Sequence, residues 1–443
     1  MTENYTTGTP DRALLEELFR AAVEAVDPGP AVAAALVAGR HADAARGHHL
    51  WIIALGKAAV PMAVAAVSVA VDNELTIAGG LIVGPAAAPA PHPALRVAVG
   101  DHPEPGPGSL AAATELDALA SRVRAEDHVW VLLSGGTTSL IGAPLEGIPH
   151  HELRDLYGIL LGSGLDISAM NRVRKRFTRW GGGKLAAALG GATVRQFIVS
   201  DVIGDDLPSI GSGPCVPDPA TVSEVRRALE QAGLWPRLPA AVRAHVQHTE
   251  DGTRPETPKP DHPAFASVLT EIVSSNRRAV EAASLRAAGL GLIVEADPAP
   301  LDGEASQAGI SVAATLRNYS QAPRTQGAAR RCVILGGETT VTLGADPGLG
   351  GRSQELALAA ARGLQGLKGV SLLAAGTDGR DGPTDAAGAI VDGSTWSAIA
   401  AAGRDPAADL GRHDAYPALD AAQALFRPGL TGTNVMDLVI GLA

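Results

Sequence analysis

Three short segments in the first half of the chain concentrate residue types suited to handling an anion. Ser134-Gly135-Gly136-Thr137-Thr138-Ser139 joins two glycines to four hydroxyls, and a turn of this kind directly after a strand exposes backbone N–H groups to a phosphate or carboxylate. Gly56-Lys57 adds one compact positive charge, able to meet a phosphoryl group. Ser200-Asp201 and Gly204-Asp205-Asp206 gather three carboxylates, from which a general base or a Mg2+ ligand can be drawn. Each has a plainer alternative: hydroxyls beside glycine cap helices, an isolated lysine is solvated, and Asp206 suits an Asx-turn.

The second half repeats the pattern. Gly336-Gly337-Glu338-Thr339-Thr340 and Gly376-Thr377-Asp378-Gly379-Arg380-Asp381 each follow an apolar run. Between them, Gly350-Gly351-Arg352-Ser353-Gln354-Glu355 has the form of a turn feeding a helix from Glu355 onward. An arginine at the positive end of a helix dipole is unfavourable unless an anion joins them, so Arg352 marks an expected anion site. Residues 171–184 (NRVRKRFTRWGGGK) pack six basic side chains into a chain of net charge −11. Arginine forks match phosphate and carboxylate oxygens, and a solvated helix face paired with acidic neighbours is the competing explanation.

These turns need elements to hold them. Apolar runs at 50–55, 81–83, 129–133, 197–199, 333–335 and 372–375 end in glycine-bearing turns and alternate with Ala-rich stretches of helical length. That alternation predicts βαβ units and a mainly parallel α/β sheet, with ligands at the carboxyl ends of the strands. At 443 residues the chain exceeds one ordinary core, so two domains are expected. A composition 46% hydrophobic but only 3% aromatic requires cores of Ala, Val, Leu and Ile. The polar run 245–263, with four prolines, supplies a crossing loop near which the boundary falls, giving residues 1–255 and 256–443. A second polar stretch, 317–329, is expected as a surface loop.

Several function classes lose ground at once. The acidic balance opposes general nucleic-acid or anionic-membrane binding. Two distant cysteines, Cys215 and Cys332, indicate neither a disulfide framework nor a zinc site, and the polar start of the chain has no apolar leader, which fits the cytoplasm. No GxxxxGK[ST] surrounds Lys57, and no GxGxxG unit with a following acid appears, which disfavours both a Walker-type fold and an NAD(P)H-dependent reductase.

Taken in order, eight blocks of this sequence resemble the glycerate 2-kinase family, whose C-terminal part is the MOFRL domain and which once carried the label hydroxypyruvate reductase. They are ALGKAA (54–59), GDHPEPGPGS (100–109), LSGGTTSL (133–140), NRVRK (171–175), SDVIGDD with SGPCVPDP (200–219), GGETTVTL with GGRSQELAL (336–358), GTDGRDGPTDAAGAIVDG (376–393) and TGTNVMDL (431–438). The resemblance implies two dissimilar α/β domains flanking a cleft, a Rossmann-like three-layer N-terminal domain and a C-terminal MOFRL domain. It also implies ATP and Mg2+ as cosubstrates and phosphorylation of the 2-hydroxyl of D-glycerate to 2-phosphoglycerate, with a related small hydroxy acid as the alternative acceptor and a homodimer as the assembly to test. Carried onto matching positions, it makes Lys57 and Arg352 cations for the transferring phosphoryl group and Asp201 an acid near the acceptor hydroxyl or metal, with Asp205 a second metal ligand. Ser134, Gly135, Gly136, Thr137, Thr138, Lys175, Gly336, Gly337, Glu338, Thr339, Thr377 and Asp378 become the nucleotide-binding set. The chain departs from the family pattern at Thr137, where glycine is usual, at Ser353 for asparagine, and at Gly211 and Cys215 for alanine and threonine.

Overall fold

The computed structural model describes residues 10–165, 167–297, 299–322, 329–344 and 346–443. The chain divides into two compact units, one of residues 28–273 and one of residues 1–27 with 274–443. Residues 323–328, within the loop expected at 317–329, lie outside the described residues; residues 317–321 complete a helix, Ala305–Gln321.

The first unit, here the parallel-sheet unit, contains strands β1 (His49–Leu55), β2 (Thr76–Gly84), β3 (Leu95–Val99), β4 (His128–Leu133), β5 (Thr193–Val199) and β6 (Val268–Ser274). They lie in the order β3-β2-β1-β4-β5-β6. Strand pairs β1–β2, β1–β4, β2–β3 and β4–β5 are all parallel. The apolar runs behave as expected: β4 is buried along its whole length and β1 along all but His49, as strands covered on both faces must be. The chain runs outward through β1, β2 and β3, then returns to place β4 beside β1. The order therefore reverses between β1 and β4, and in such sheets ligands bind outside the carboxyl ends at that point.

The second unit, the mixed-sheet unit, contains β7 (Ile293–Ala296), β8 (Arg331–Gly337), β9 (Ser371–Gly376), β10 (Gly388–Asp392), β11 (Leu425–Phe426) and β12 (Asp437–Leu442), ordered β11-β10-β9-β12-β8-β7. Among the described strand pairs only β7–β8 is parallel; β12 runs antiparallel between β8 and β9, and β10 antiparallel to β9 and β11. The expectation of a mainly parallel sheet holds for the first unit and fails for this one. The reason is β12, an apolar run at the chain's end that no following turn motif announced, which fills the gap between β8 and β9. Its core is small-residue packing: helix Ala305–Gln321 lies against helix Arg352–Leu364, with Gly309 so near that an added Cβ would sit 2.2 Å from the Leu356 carbonyl oxygen.

The boundaries differ from the expected 255/256. Helix Pro10–Ala25 belongs with the C-terminal residues, because its Asp11 accepts from Arg330 at 2.5 and 3.0 Å and its Phe19 packs edge-on against Phe426 at 5.1 Å. The Arg330 hydrogen bonds hold the Asp11 carboxyl below its ordinary range. The proline-rich stretch is likewise no boundary. Thr257 donates to Asp218 at 2.9 Å, Lys259 donates to the Asp218 carbonyl at 3.0 Å, and the chain then enters β6 beside β5. Among the described residues no single helix is long and apolar enough to cross a membrane.

The tight helix crossing generates a prediction. Gly309→Ala should destabilise the mixed-sheet unit by about 1–3 kcal/mol, because the new methyl must displace backbone rather than a flexible side chain. Urea unfolding measures it, and an unchanged midpoint would show that the helices separate freely.

Candidate functional site

At the reversal point the turns after β1 and β4 are built into each other. The Ser134 amide donates to the Leu55 carbonyl at 2.9 Å, the Lys57 amide to the Gly135 carbonyl at 2.9 Å, and the Ala58 amide to Ser134 Oγ at 3.0 Å. Gly56, at φ +120°, lies so close that an added Cβ would be 2.2 Å from Ser134 Oγ. These bonds leave the Lys57 side chain exposed at the sheet edge.

The rest of the turn uses its hydroxyls for its own shape. Thr137 Oγ1 donates to the Ser134 carbonyl at 2.8 Å, Ser139 Oγ to the Gly136 carbonyl at 3.1 Å, and Thr138 Oγ1 pairs with Ser212 Oγ at 2.8 Å. Gly136 alone takes the left-handed conformation, at φ 83°. Thr137 is therefore under no backbone strain despite its β-branch. Its bulk is met by Gly211, where an added Cβ would be 3.2 Å from Thr137 Cβ, so the two departures at 137 and 211 compensate in volume. Among the described residues, nothing accepts from the amides of Gly135, Gly136, Thr137 or Thr138. Four consecutive free amides around a left-handed glycine fit an oxyanion such as a phosphate.

Asp201 follows β5 and closes this site. Its Oδ2 lies where a Cβ on Gly135 would be, 1.9 Å away, so only glycine fits at 135. Burial raises the Asp201 carboxyl above its ordinary range, while its own backbone amide and the Lys57 charge pull it down. A carboxylate so placed is more basic than a solvated one and suits proton acceptance from a hydroxyl. His102, which no sequence signal singled out within the 100–109 block, joins the same cluster: a Cβ on Gly136 would be 3.1 Å from its Cδ2 and 3.3 Å from Lys57 Cγ.

Other expected residues go elsewhere. Lys175 is buried and donates to the Pro208 carbonyl at 2.9 Å, 3.8 Å from Asp218. Beside it Arg176, also buried, pairs with Asp218 and Glu256 and donates to the Ala220 carbonyl at 2.8 Å. Lys184 donates to the Lys175 carbonyl at 2.8 Å, and burial pushes its ammonium down to about 7. Much of the basic stretch is thus an internal ion network, as buried charges require partners. Asp205 ends the short helical turn Ile203–Asp205 with a φ of 56°. Among the described residues, no group of three or more His, Cys, Asp or Glu is arranged to hold a metal ion. A Mg2+ ion, which takes one or two carboxylates and leaves its remaining positions to water and phosphate oxygens, does not require one.

In the mixed-sheet unit, strand register makes the second cluster. Asp437, the first residue of β12, stands opposite Gly337 on β8 and Gly376 on β9, so three turns meet at one edge. Arg352 forks onto Asp437 through Nε at 2.5 Å and Nη2 at 3.0 Å, and its Nη1 meets Glu338 at 2.7 Å. Burial alone would lower the Arg352 guanidinium; the Asp437 and Glu338 carboxylates override it and raise it. The helix that Arg352 opens receives its own anion: Asp381 accepts from the Ser353 amide at 3.2 Å and the Gln354 amide at 2.8 Å. The anions implied by an arginine at a helix start are therefore present as side chains of the chain itself. Thr377 is fully buried and ties the turn to β12 through the Met436 carbonyl at 2.6 Å, while Asp378 Oδ1 accepts from the Arg380 amide at 2.9 Å. Gly336 and Gly337 end β8, and Thr339 is buried just past Glu338. Asp381 and Asp437 escaped sequence reasoning as site residues, although both lay inside motif blocks.

Two family models match the chain: a domain of unknown function, DUF4147, over residues 14–247, and the MOFRL family over residues 331–437. The D-glycerate 2-kinase of Thermotoga maritima is 36% identical over 433 residues, covering 97% of this chain and 98% of that protein. The glycerate 2-kinase of Pyrococcus horikoshii is 36% identical over 393 residues, covering 89% of this chain and 87% of that protein. A crystal structure of glycerate kinase from Thermotoga maritima superposes with a TM-score of 0.85 at 35% identity, covering 97% of this chain and 99% of its own.

Burial pushes the Asp381 carboxyl up to about 7, with the nearby Asp437 charge adding to the rise. In the unfolded chain the same group titrates near ~4. The folded state thus holds a proton that the unfolded state releases, and stability from this group is lost as pH rises from about 4 to about 7. The thermal midpoint of the wild type should fall relative to Asp381→Asn across that window, and a constant difference between the two would remove this assignment.

Proposed function

The chain belongs to the glycerate kinase family, and from that premise we propose how its residues transfer the terminal phosphoryl group of ATP to the 2-hydroxyl of D-glycerate, giving 2-phosphoglycerate and ADP. It is a phosphotransferase with an alcohol acceptor. The observation that carries the residue assignments is the cluster at the β1/β4 reversal: an exposed Lys57, a half-buried Asp201 and four free amides around Gly136.

Phosphoryl transfer asks a protein for alignment and charge neutralisation rather than covalent chemistry. The amides of residues 135–138 bind and orient a phosphate oxygen, and Lys57 neutralises its charge. Asp201 accepts the proton of the attacking hydroxyl, a task that its burial-raised basicity supports. Arg352 supplies a second cation. Its fork is occupied by Asp437 and Glu338, but 36% of its side chain remains exposed, enough to offer a face to substrate. Magnesium, where bound, would be held by Asp201 and Asp205 and would add neutralising charge. In the mixed-sheet unit the Gly336-Gly337-Glu338-Thr339 and Thr377-Asp378 turns belong to nucleotide binding, whereas Lys175 supports the site from within the fold. Cytoplasmic residence is part of the same proposal, since both cysteines are buried free thiols.

An NAD(P)H-dependent reductase remains the weaker reading. The sheet has a dinucleotide-type strand order, but the turn after β1 is Gly56-Lys57-Ala58-Ala59, with Ala58 where a pyrophosphate-approaching glycine would stand.

ADP release from MgATP with D-glycerate, with the product resolved as 2- or 3-phosphoglycerate, tests the reaction; no product with either donor or acceptor in excess would refute it. Lys57→Ala and Arg352→Ala should each lower kcat by roughly 100-fold or more; Lys57→Ala should leave the unfolding midpoint of the parallel-sheet unit unchanged, whereas Arg352→Ala, which strips Asp437 and Glu338 of their cation, should lower that of the mixed-sheet unit. Wild-type turnover in the folded double variant would strip both of their roles. Excess chelator should abolish turnover and added Mg2+ restore it, and full activity in chelator would dismiss the metal.

A further inference from the structure

His102 sits on a loop that is pinned on both sides of it. Asp101 and Ser109 bind each other reciprocally: the Asp101 amide donates to Ser109 Oγ at 2.9 Å, and the Ser109 amide to Asp101 Oδ2 at 3.0 Å. Gly100 is anchored by its amide to the Gly84 carbonyl at 3.0 Å and pressed onto Leu140, whose carbonyl oxygen would be 2.2 Å from an added Cβ. Pro105 packs on Gly142 just as closely, 2.6 Å from a Cβ there. The loop is therefore clamped to the β4 turn from both ends, and the one side chain it holds over Gly136 beside Lys57 is the imidazole of His102.

That imidazole is exposed, and among the described residues it has no hydrogen-bond partner. A Cβ on Gly136 would be 3.4 Å from its Nε2, which brings that nitrogen to the glycine turn carrying the free amides. A structural histidine would be buried or bonded; this one is positioned and left unused. We propose that His102 contacts substrate directly, its imidazole donating a hydrogen bond to a substrate oxyanion held beside Lys57. Partial burial and the Lys57 charge lower its basicity, in that order, so that near neutral pH it donates without adding a charge. The oxyanion belongs either to the carboxylate of the acid or to a phosphate of the nucleotide. This assignment rests on the kinase reading of the site, but it is measurable apart from it.

The test compares wild type with His102→Ala, His102→Gln and, as a control on the same loop, Glu104→Gln. Both KM values and kcat are measured, and ATP and D-glycerate are titrated separately by calorimetry. Losing a hydrogen bond to a charged oxygen should weaken one ligand roughly 10- to 100-fold in His102→Ala. Gln keeps a donor near the position of Nε2 and should recover part of the loss, while Glu104→Gln should change neither ligand. Weakened D-glycerate identifies the carboxylate, and weakened ATP identifies a phosphate. Unchanged affinities for both ligands overturn the proposal, as does a loss accompanied by a lowered unfolding midpoint that Gln does not repair. If wild type fails to phosphorylate D-glycerate, the kinase reading falls while the ATP titration still decides the role of His102.

Discussion

The parallel-sheet site depends on one close approach, the contact of Gly56 with Ser134. Because no side chain separates them, Ser134 can receive the Ala58 amide on its hydroxyl while its own amide reaches the Leu55 carbonyl. The turns after β1 and β4 thereby become one piece of backbone, with Lys57 on one limb and the Gly135–Gly136 amides on the other. The second close approach, Asp201 Oδ2 against Gly135, brings in the carboxyl end of β5. Lysine, amides and carboxylate come from three strands that are neighbours in space only because the strand order reverses between β1 and β4.

The mixed-sheet unit solves a different electrostatic problem. Here an arginine opens a helix whose dipole repels it, and the chain supplies carboxylates to both: Asp437 and Glu338 to the guanidinium, Asp381 to the helix amides. The cost falls on the carboxylates. Burial raises both Asp381 and Asp437, and the Arg352 charge opposes the rise in each. A site that concentrates this much buried charge is held by pairing rather than by apolar packing, and each member constrains the others.

The basic stretch 171–184 is instructive because its charge pointed toward a ligand while its geometry points inward. Lys175, Arg176 and Lys184 spend their donors on backbone carbonyls, Asp218 and Glu256. Charge composition is visible along a chain; whether a charge faces solvent, substrate or an internal carboxylate is set by residues tens of positions away. Asp218 lay within the SGPCVPDP block without being singled out, and Glu256 carried no motif of its own.

The sequence by itself determined the local features: six of the strands, the turns that follow them, and the residues Lys57, Asp201, Gly135, Gly136, Arg352 and Glu338 at those turns. Apolar runs bury, glycines permit tight turns and hydroxyls cap them, and all of this is written in near neighbours. The domain boundaries, the antiparallel β12, and the partnerships of His102 with Lys57 and of Asp437 with Arg352 were decided only by tertiary structure. Helix Pro10–Ala25 joins residues more than three hundred positions away through Asp11–Arg330, and Asp437 becomes a site residue because register sets it between two glycines on other strands. Contacts of that span depend on how whole elements stack, and no spacing within a single segment encodes them.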